Sequence, residues 1–154
     1  MAVLFSISGC SGWSMGPFTI EGLTRVYVPY FENETFYREV ELDLTRQVIS
    51  RIQQRADLDL ADENSAELII KGRIISYQLN VLSEDATDTV LSESAQIGVH
   101  IMVYRASDHK VLRDIILYDS EVYNQLLNQT LETARSQSFV RLSQKIVALL
   151  EEAI

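Results

Sequence analysis

Ala95-Gln96-Ile97-Gly98-Val99-His100-Ile101-Met102-Val103-Tyr104 sets the architecture of this chain. Ala95, Ile97, Val99, Ile101 and Val103 recur with a period of two, the signature of a strand with one buried face. The reading extends to a strand over 90–105, a hairpin turn over 106–110 and a further strand from Val111 to about Val122. In that last strand the apolar parity is ambiguous, because Leu112 and Ile116 fit one face and Ile115 and Leu117 the other. Upstream, 66–82 reads as a long strand. Leu68, Ile70, Gly72 and Ile74 share one parity, while Ile75, Tyr77, Leu79 and Val81 share the other. Such a switch predicts a bulge or bend near Ile74, or a segment covered on both faces. An acidic loop over 83–89 joins the two strands.

Helical periodicity brackets this meander. Val40, Leu44, Val48 and Ile52 recur every four residues, with Ile49 beside them, and predict a helix from about Tyr37 to Arg55. Thr35 is a candidate N-cap, and Glu39 and Glu41 suit the first turn. Leu131, Ala134, Leu142, Ile146, Leu149 and Ala153 form the stripe of a second helix over about 130–152. Val26 and Val28 alternate in a first strand over 24–30, ended by Pro29, and 56–65 reads as a polar loop. The expected fold is an α+β two-layer sandwich ordered strand, helix, three strands, helix. Its sheet would be four-stranded and mainly antiparallel, with both helices on one face. The other face must be partly polar or meet something else.

The chain has 154 residues, 47% hydrophobic and 23% charged, which is ordinary for one globular domain. A net charge of −9 argues against a nucleic-acid partner. His100 and His109 have no second ligand at metal-binding spacing, and Glu84, Asp85 and Asp88 do not match a calcium loop. No glycine-rich phosphate loop is present, and no nucleophile, base and orienting group assemble. The expectation is a protein that binds, with no metal, no cofactor and no catalytic residue.

Residues 2–9 are apolar or small and lead to Cys10, the single cysteine. The run is too short to cross a bilayer and suits the tail of a secretory signal. No Lys or Arg precedes Arg25, which reads as a start upstream of Met1 or a weak signal. Ile7-Ser8-Gly9-Cys10 resembles a bacterial lipobox, whose thiol takes a diacylglycerol. The expected layout is a signal remnant over 1–9, a lipidated tether over 10–23 and an α+β domain over 24–154. A free thiol near the N-terminus is the other reading of Cys10.

Val26-Tyr27-Val28-Pro29-Tyr30-Phe31-Glu32-Asn33-Glu34-Thr35-Phe36 resembles the VxVPxFxNxT signature of the LptE family of lipoproteins. Ala66-Glu67-Leu68-Ile69-Ile70-Lys71-Gly72-Arg73-Ile74-Ile75-Ser76-Tyr77 is similar to a strand of that family, and Ile146-Val147-Ala148-Leu149-Leu150 to its closing helix. The family-motif positions are Pro29, Phe31, Asn33, Thr35, Gly72 and Tyr77. His109 departs from the pattern by standing where such hairpins commonly carry Gly, although His tolerates the left-handed conformation. The resemblance implies an outer-membrane lipoprotein on the periplasmic face. It implies two partners: the LptD β-barrel, in whose lumen the protein docks and whose assembly it helps, and lipopolysaccharide. On that reading Arg105, Lys110 and Arg113 are candidate contacts for lipid A phosphates, with Lys71 and Arg73 extending the patch. A solvated turn accounts for the same charges. The first motif is shared loosely with lipoprotein activators of penicillin-binding proteins, so a peptidoglycan-synthase activator is the alternative function.

Overall fold

The structure, a computed structural model, describes residues 19–84 and 90–151. Cys10, most of the tether, Asp85, Asp88 and Ala153 lie outside the described residues. The elements are β1 (Arg25–Tyr27), β2 (Glu32–Asn33), α1 (Val40–Gln53), β3 (Asp59–Leu60), β4 (Leu68–Glu84), β5 (Val90–Arg105), β6 (Val111–Asn124) and α2 (Leu131–Ala148).

The α+β class, the two helices and the β4–β5–β6 antiparallel meander are as expected. The sheet differs: it is mixed and has six strands, in the order β3-β1-β4-β5-β6, with β2 also on β4. β1 runs parallel to both β3 and β4, and β2 parallel to β4. The expected first strand is split because Pro29 has no N–H to give a ladder. β1 leaves β4 after Tyr27 opposite Ile69, and β2 rejoins it at Glu32 opposite Arg73. Four residues, 28–31, thus span the same stretch as three on β4, 70–72, and the crossing bows away from the strand. β3 falls within the stretch read as a polar loop.

The parity switch in β4 is a bulge. Ile74 pairs with Val99 and Ser76 with Gly98, so Ile75 is the extra residue. Leu68, Ile70, Gly72, Ile74 and then Tyr77 therefore all face the helices. A second bulge, at Leu112, settles β6. Val103 pairs with Arg113 and Tyr104 with Val111, which turns Leu117 toward the helices and Ile116 to the open face.

The helices cover one side of the sheet. Val40, Leu44, Val48 and Ile52 of α1, and Phe139, Leu142 and Ile146 of α2, pack on Ile70, Ile74, Ile97, Val99 and Ile101. α2 opens with a capping box, Thr130 accepting from the Thr133 N–H while the Thr133 hydroxyl accepts from the Thr130 N–H. α1 begins at Val40, later than expected, and Thr35 is not its N-cap. That position falls to Glu39, left-handed at φ 67° and without a side-chain cap. Thr35 is held instead by Asn33, whose Oδ1 accepts from the Thr35 N–H at 2.9 Å while its Nδ2 donates to Tyr37 O and Glu41 Oε2. The turn at 106–110 has His109 at φ 55°, so histidine does take the left-handed position there.

The crossing is pinned by Phe31. Its N–H donates to Thr45 Oγ1 of α1 at 3.0 Å, and its ring lies over Gly72. A Cβ at Gly72 would stand 2.5 Å from Phe31 Cδ2. Gly72→Ala is therefore expected to cost about 1–3 kcal/mol in urea unfolding through overpacking. Phe31→Leu in the same chain should return part of that loss.

Candidate functional site

On the face without helices, a concavity of about 300 Å³ lies between the bowed crossing and the middle of β4 and β5. Pro29, Tyr30 and Glu32 form its rim, Lys71 and Arg73 come from β4, and His100, Met102 and Tyr104 from β5. The register explains the gathering. Arg73 is opposite His100 and Lys71 opposite Met102, all on the outward parity.

The cations here are not equivalent. Arg73 is neutralised, with Nε donating to Glu32 Oε2 at 2.9 Å and Nη1 to Glu34 Oε1 at 3.1 Å. His100 Nε2 is 2.6 Å from Asp114 Oδ1. The Lys71 ammonium lies 5.5 Å from the centre of the Tyr104 ring, a cation–π contact, and makes no ion pair among the described residues. The site thus offers one uncompensated cation, two tyrosines and a thioether on an uncovered sheet. It can hold an anion that carries flat or apolar surface. Among the described residues no group of His, Cys, Asp or Glu is placed to hold a metal.

The five basic residues singled out in the sequence do not form one patch. Arg113 is on the helix-bearing parity and donates to Leu112 O at 2.9 Å. Arg105 is clasped by both carboxylate oxygens of Glu21, and its Nη1 donates to Asp108 Oδ2 at 2.8 Å. The Arg105 hydrogen bond holds the Glu21 carboxyl below its usual range. This clasp fixes the start of the domain, where Ile20 N–H also donates to Leu150 O at 2.7 Å. The Lys110 backbone N–H donates to Asp108 Oδ1 in the turn. Lys71 and Arg73 alone reach the concavity. Tyr30, His100, Met102 and Tyr104 join them without any signal in the periodicity beyond their outward parity.

The family-motif residues do structural work around the site. Pro29 and Phe31 shape the crossing, Asn33 and Thr35 tie it to α1, and Gly72 admits the Phe31 ring. Tyr77 is buried against Tyr37, with ring centroids 4.2 Å apart.

A second charge cluster lies on the helix side. Buried Asp119 accepts from Arg141 Nη2 at 2.7 Å and Lys145 Nζ at 2.9 Å. Lys145 also donates to Tyr118 O and Arg141 to Ser120 O, so both side chains cover carbonyls of the β6 edge.

A family model described as lipopolysaccharide-assembly, LptE, matches residues 23–150. This chain belongs to the LptE family. No curated protein matches it. Among solved structures, it is similar to the hypothetical protein CT253 of Chlamydia trachomatis, at 14% identity and TM-score 0.61. That match covers 82% of this chain and 94% of the other. The rare lipoprotein B of Shewanella oneidensis matches at 16% identity and TM-score 0.56, covering 80% and 91%. The PelC dodecamer of Paraburkholderia phytofirmans matches at 13% identity and TM-score 0.56, covering 89% and 96%. At these identities the likenesses concern the fold.

Burial pushes the Asp119 carboxyl up, but hydrogen bonds from Arg141 and Lys145 outweigh it and hold the group below its ordinary range. A lowered folded-state pKa gives stability that is present above the unfolded value and lost as pH falls through the folded one. Asp119→Asn is expected to cost about 1–2 kcal/mol at pH 7, modest because both cations are partly exposed. Urea unfolding from pH 7 downward should show the gap between wild type and variant closing below the usual carboxylate range.

Proposed function

We propose that this LptE-family chain is an outer-membrane lipoprotein, acylated at Cys10, that handles lipopolysaccharide at an LptD-like barrel. The observation that carries the ligand reading is the Lys71 ammonium, uncompensated among the described residues, beside Tyr104 on the face the helices leave open. A lipid A phosphate would meet Lys71 by a charge-assisted hydrogen bond, and the adjoining sugar would rest against Tyr30, Met102 and Tyr104. Arg73 would contribute after exchanging Glu32 or Glu34 for the ligand. Arg105 and Arg113 support the domain rather than the ligand, because carboxylates hold the first and a strand carbonyl the second. Anchoring follows from acylation, since more than one acyl chain gives stable attachment. The assembly role rests on the family, and docking in the barrel is supported by a domain presenting two unlike sides.

Lys71→Glu is expected to weaken binding of purified lipopolysaccharide about tenfold at low salt, on the order of 1.4 kcal/mol. Arg113→Glu should change it less than twofold. Equal losses in the two variants would return the ligand to the β5–β6 turn. Cys10→Ala should move the protein from the membrane fraction to the soluble fraction, and retained attachment would remove the anchor.

A further inference from the structure

A short strap, residues 19–22, links the C-terminal end of α2 to the β5–β6 turn. Thr19 forms an antiparallel bridge with Glu151, and the Ile20 N–H donates to Leu150 O at 2.7 Å. Glu21 clasps Arg105 at the end of β5.

The strap is set apart from the domain it touches. Ile20 is 3% exposed, yet among the described residues it stands outside the core that joins helices and sheet, whereas Leu23 packs against that core. The boundary between them falls at Gly22. Its φ of 71° suits glycine, and nothing lies within 4 Å of a Cβ placed there. Glu21 is left-handed as well, at φ 53°, a strained conformation for a residue with a side chain. It is the conformation in which its carboxylate meets Arg105.

Little is stranded when the strap leaves. The bonds from Gly22 N–H to Thr19 O and from Leu23 N–H to Ile20 O are internal to it. Among the described residues, the Ile20 to Leu150 bond is the one backbone bond that crosses to the domain. Arg105 would keep Asp108, and Glu151 would keep Arg55, so neither charge loses all its partners. The Glu21–Arg105 pair joins side chains that are 37% and 26% exposed, a class of ion pair that adds little to stability. A segment seated by one side chain, one backbone bond and a solvated ion pair opens at lower cost than the domain unfolds.

We infer that residues 19–22 are a latch on the lipid tether, hinged at Gly22 and held by the Glu21–Arg105 clasp. Latched, the nine residue steps from Cys10 to Thr19 limit the reach from the acylated residue to about 30 Å. Released, the four strap residues add roughly 13 Å, and the chain leaves the domain at the start of β1 instead of beside α2. The latch thereby sets how far the Lys71 face can stand from the bilayer. The inference rests on the reading that Cys10 is acylated.

The test uses the full-length lipoprotein, purified from its envelope and placed in vesicles of phosphatidylethanolamine and phosphatidylglycerol. Glu21→Lys opposes the clasp and leaves the Arg105–Asp108 pair in the turn. Thr19→Cys/Glu151→Cys, oxidised, shuts the latch, since antiparallel bridge partners stand close enough for a disulfide. Amide hydrogen exchange reads the opening. In the wild type, exchange at Ile20 should be at least a hundredfold faster than at Ile97 and Ile101 of β5. Glu21→Lys should speed it about threefold further, and the oxidised double variant should slow it at least tenfold, with β5 unchanged in both. Energy transfer to headgroup acceptors, from a dye on a non-natural amino acid at Gln53, reads the reach. Transfer should be higher in the oxidised double variant than in the same chain reduced. Ile20 exchange as slow as that of β5 in the wild type would overturn the latch, and equal transfer in the oxidised and reduced forms would overturn its control of reach. A wild-type chain that leaves the vesicles would overturn the anchor reading, while the exchange measurement still decides whether the strap opens.

Discussion

Phe31 lies across Gly72, and the rest of the molecule is arranged around that contact. The ring is admitted only because position 72 has no Cβ. Seating it draws the chain over β4, lets the Phe31 N–H reach Thr45 of α1, and leaves Pro29 and Tyr30 outside as the rim of the concavity. Packing, helix docking and the shape of the open face are therefore coupled through one aromatic side chain. The family motif reads as the set of residues this crossing needs: proline where a ladder hydrogen bond is absent, phenylalanine to fill the core, asparagine to turn the chain into α1.

The sheet has two unlike sides. Its helix side is apolar and closed by the Asp119 cluster, which fastens α2 to β6 and covers edge carbonyls that would otherwise invite another strand. Its open side carries the cation that no carboxylate offsets among the described residues.

Much of this fold was legible in the chain because burial imposes period. The alternation of Ala95 to Val103 gave β5, and the parity switch after Ile74 announced the bulge that the β4–β5 register contains. The stripes of Val40 to Ile52 and of Leu131 to Leu149 gave the helices. What periodicity does not encode is pairing. β2 and β3 are two residues each, too short to show a period, and nothing local says that β1 runs parallel to β4. The candidate site was half legible for the same reason. Lys71 and Arg73 followed from the outward parity of β4, whereas Arg113 changed face through the single extra residue at Leu112. Arg105 was removed from the site by Glu21, 84 residues away in sequence, a partner that local reading cannot supply.

The central claim is that the open face around Lys71, shaped by the Phe31 crossing, is where an anionic glycolipid meets this protein. Amide and side-chain NMR shifts of the isotope-labelled lipoprotein, titrated with lipid A in detergent micelles, test it most directly. The account predicts the largest changes at Tyr30, Lys71, Arg73, Met102 and Tyr104. Changes confined to residues 105–113, or to the surroundings of Leu82 and Leu127, would contradict it.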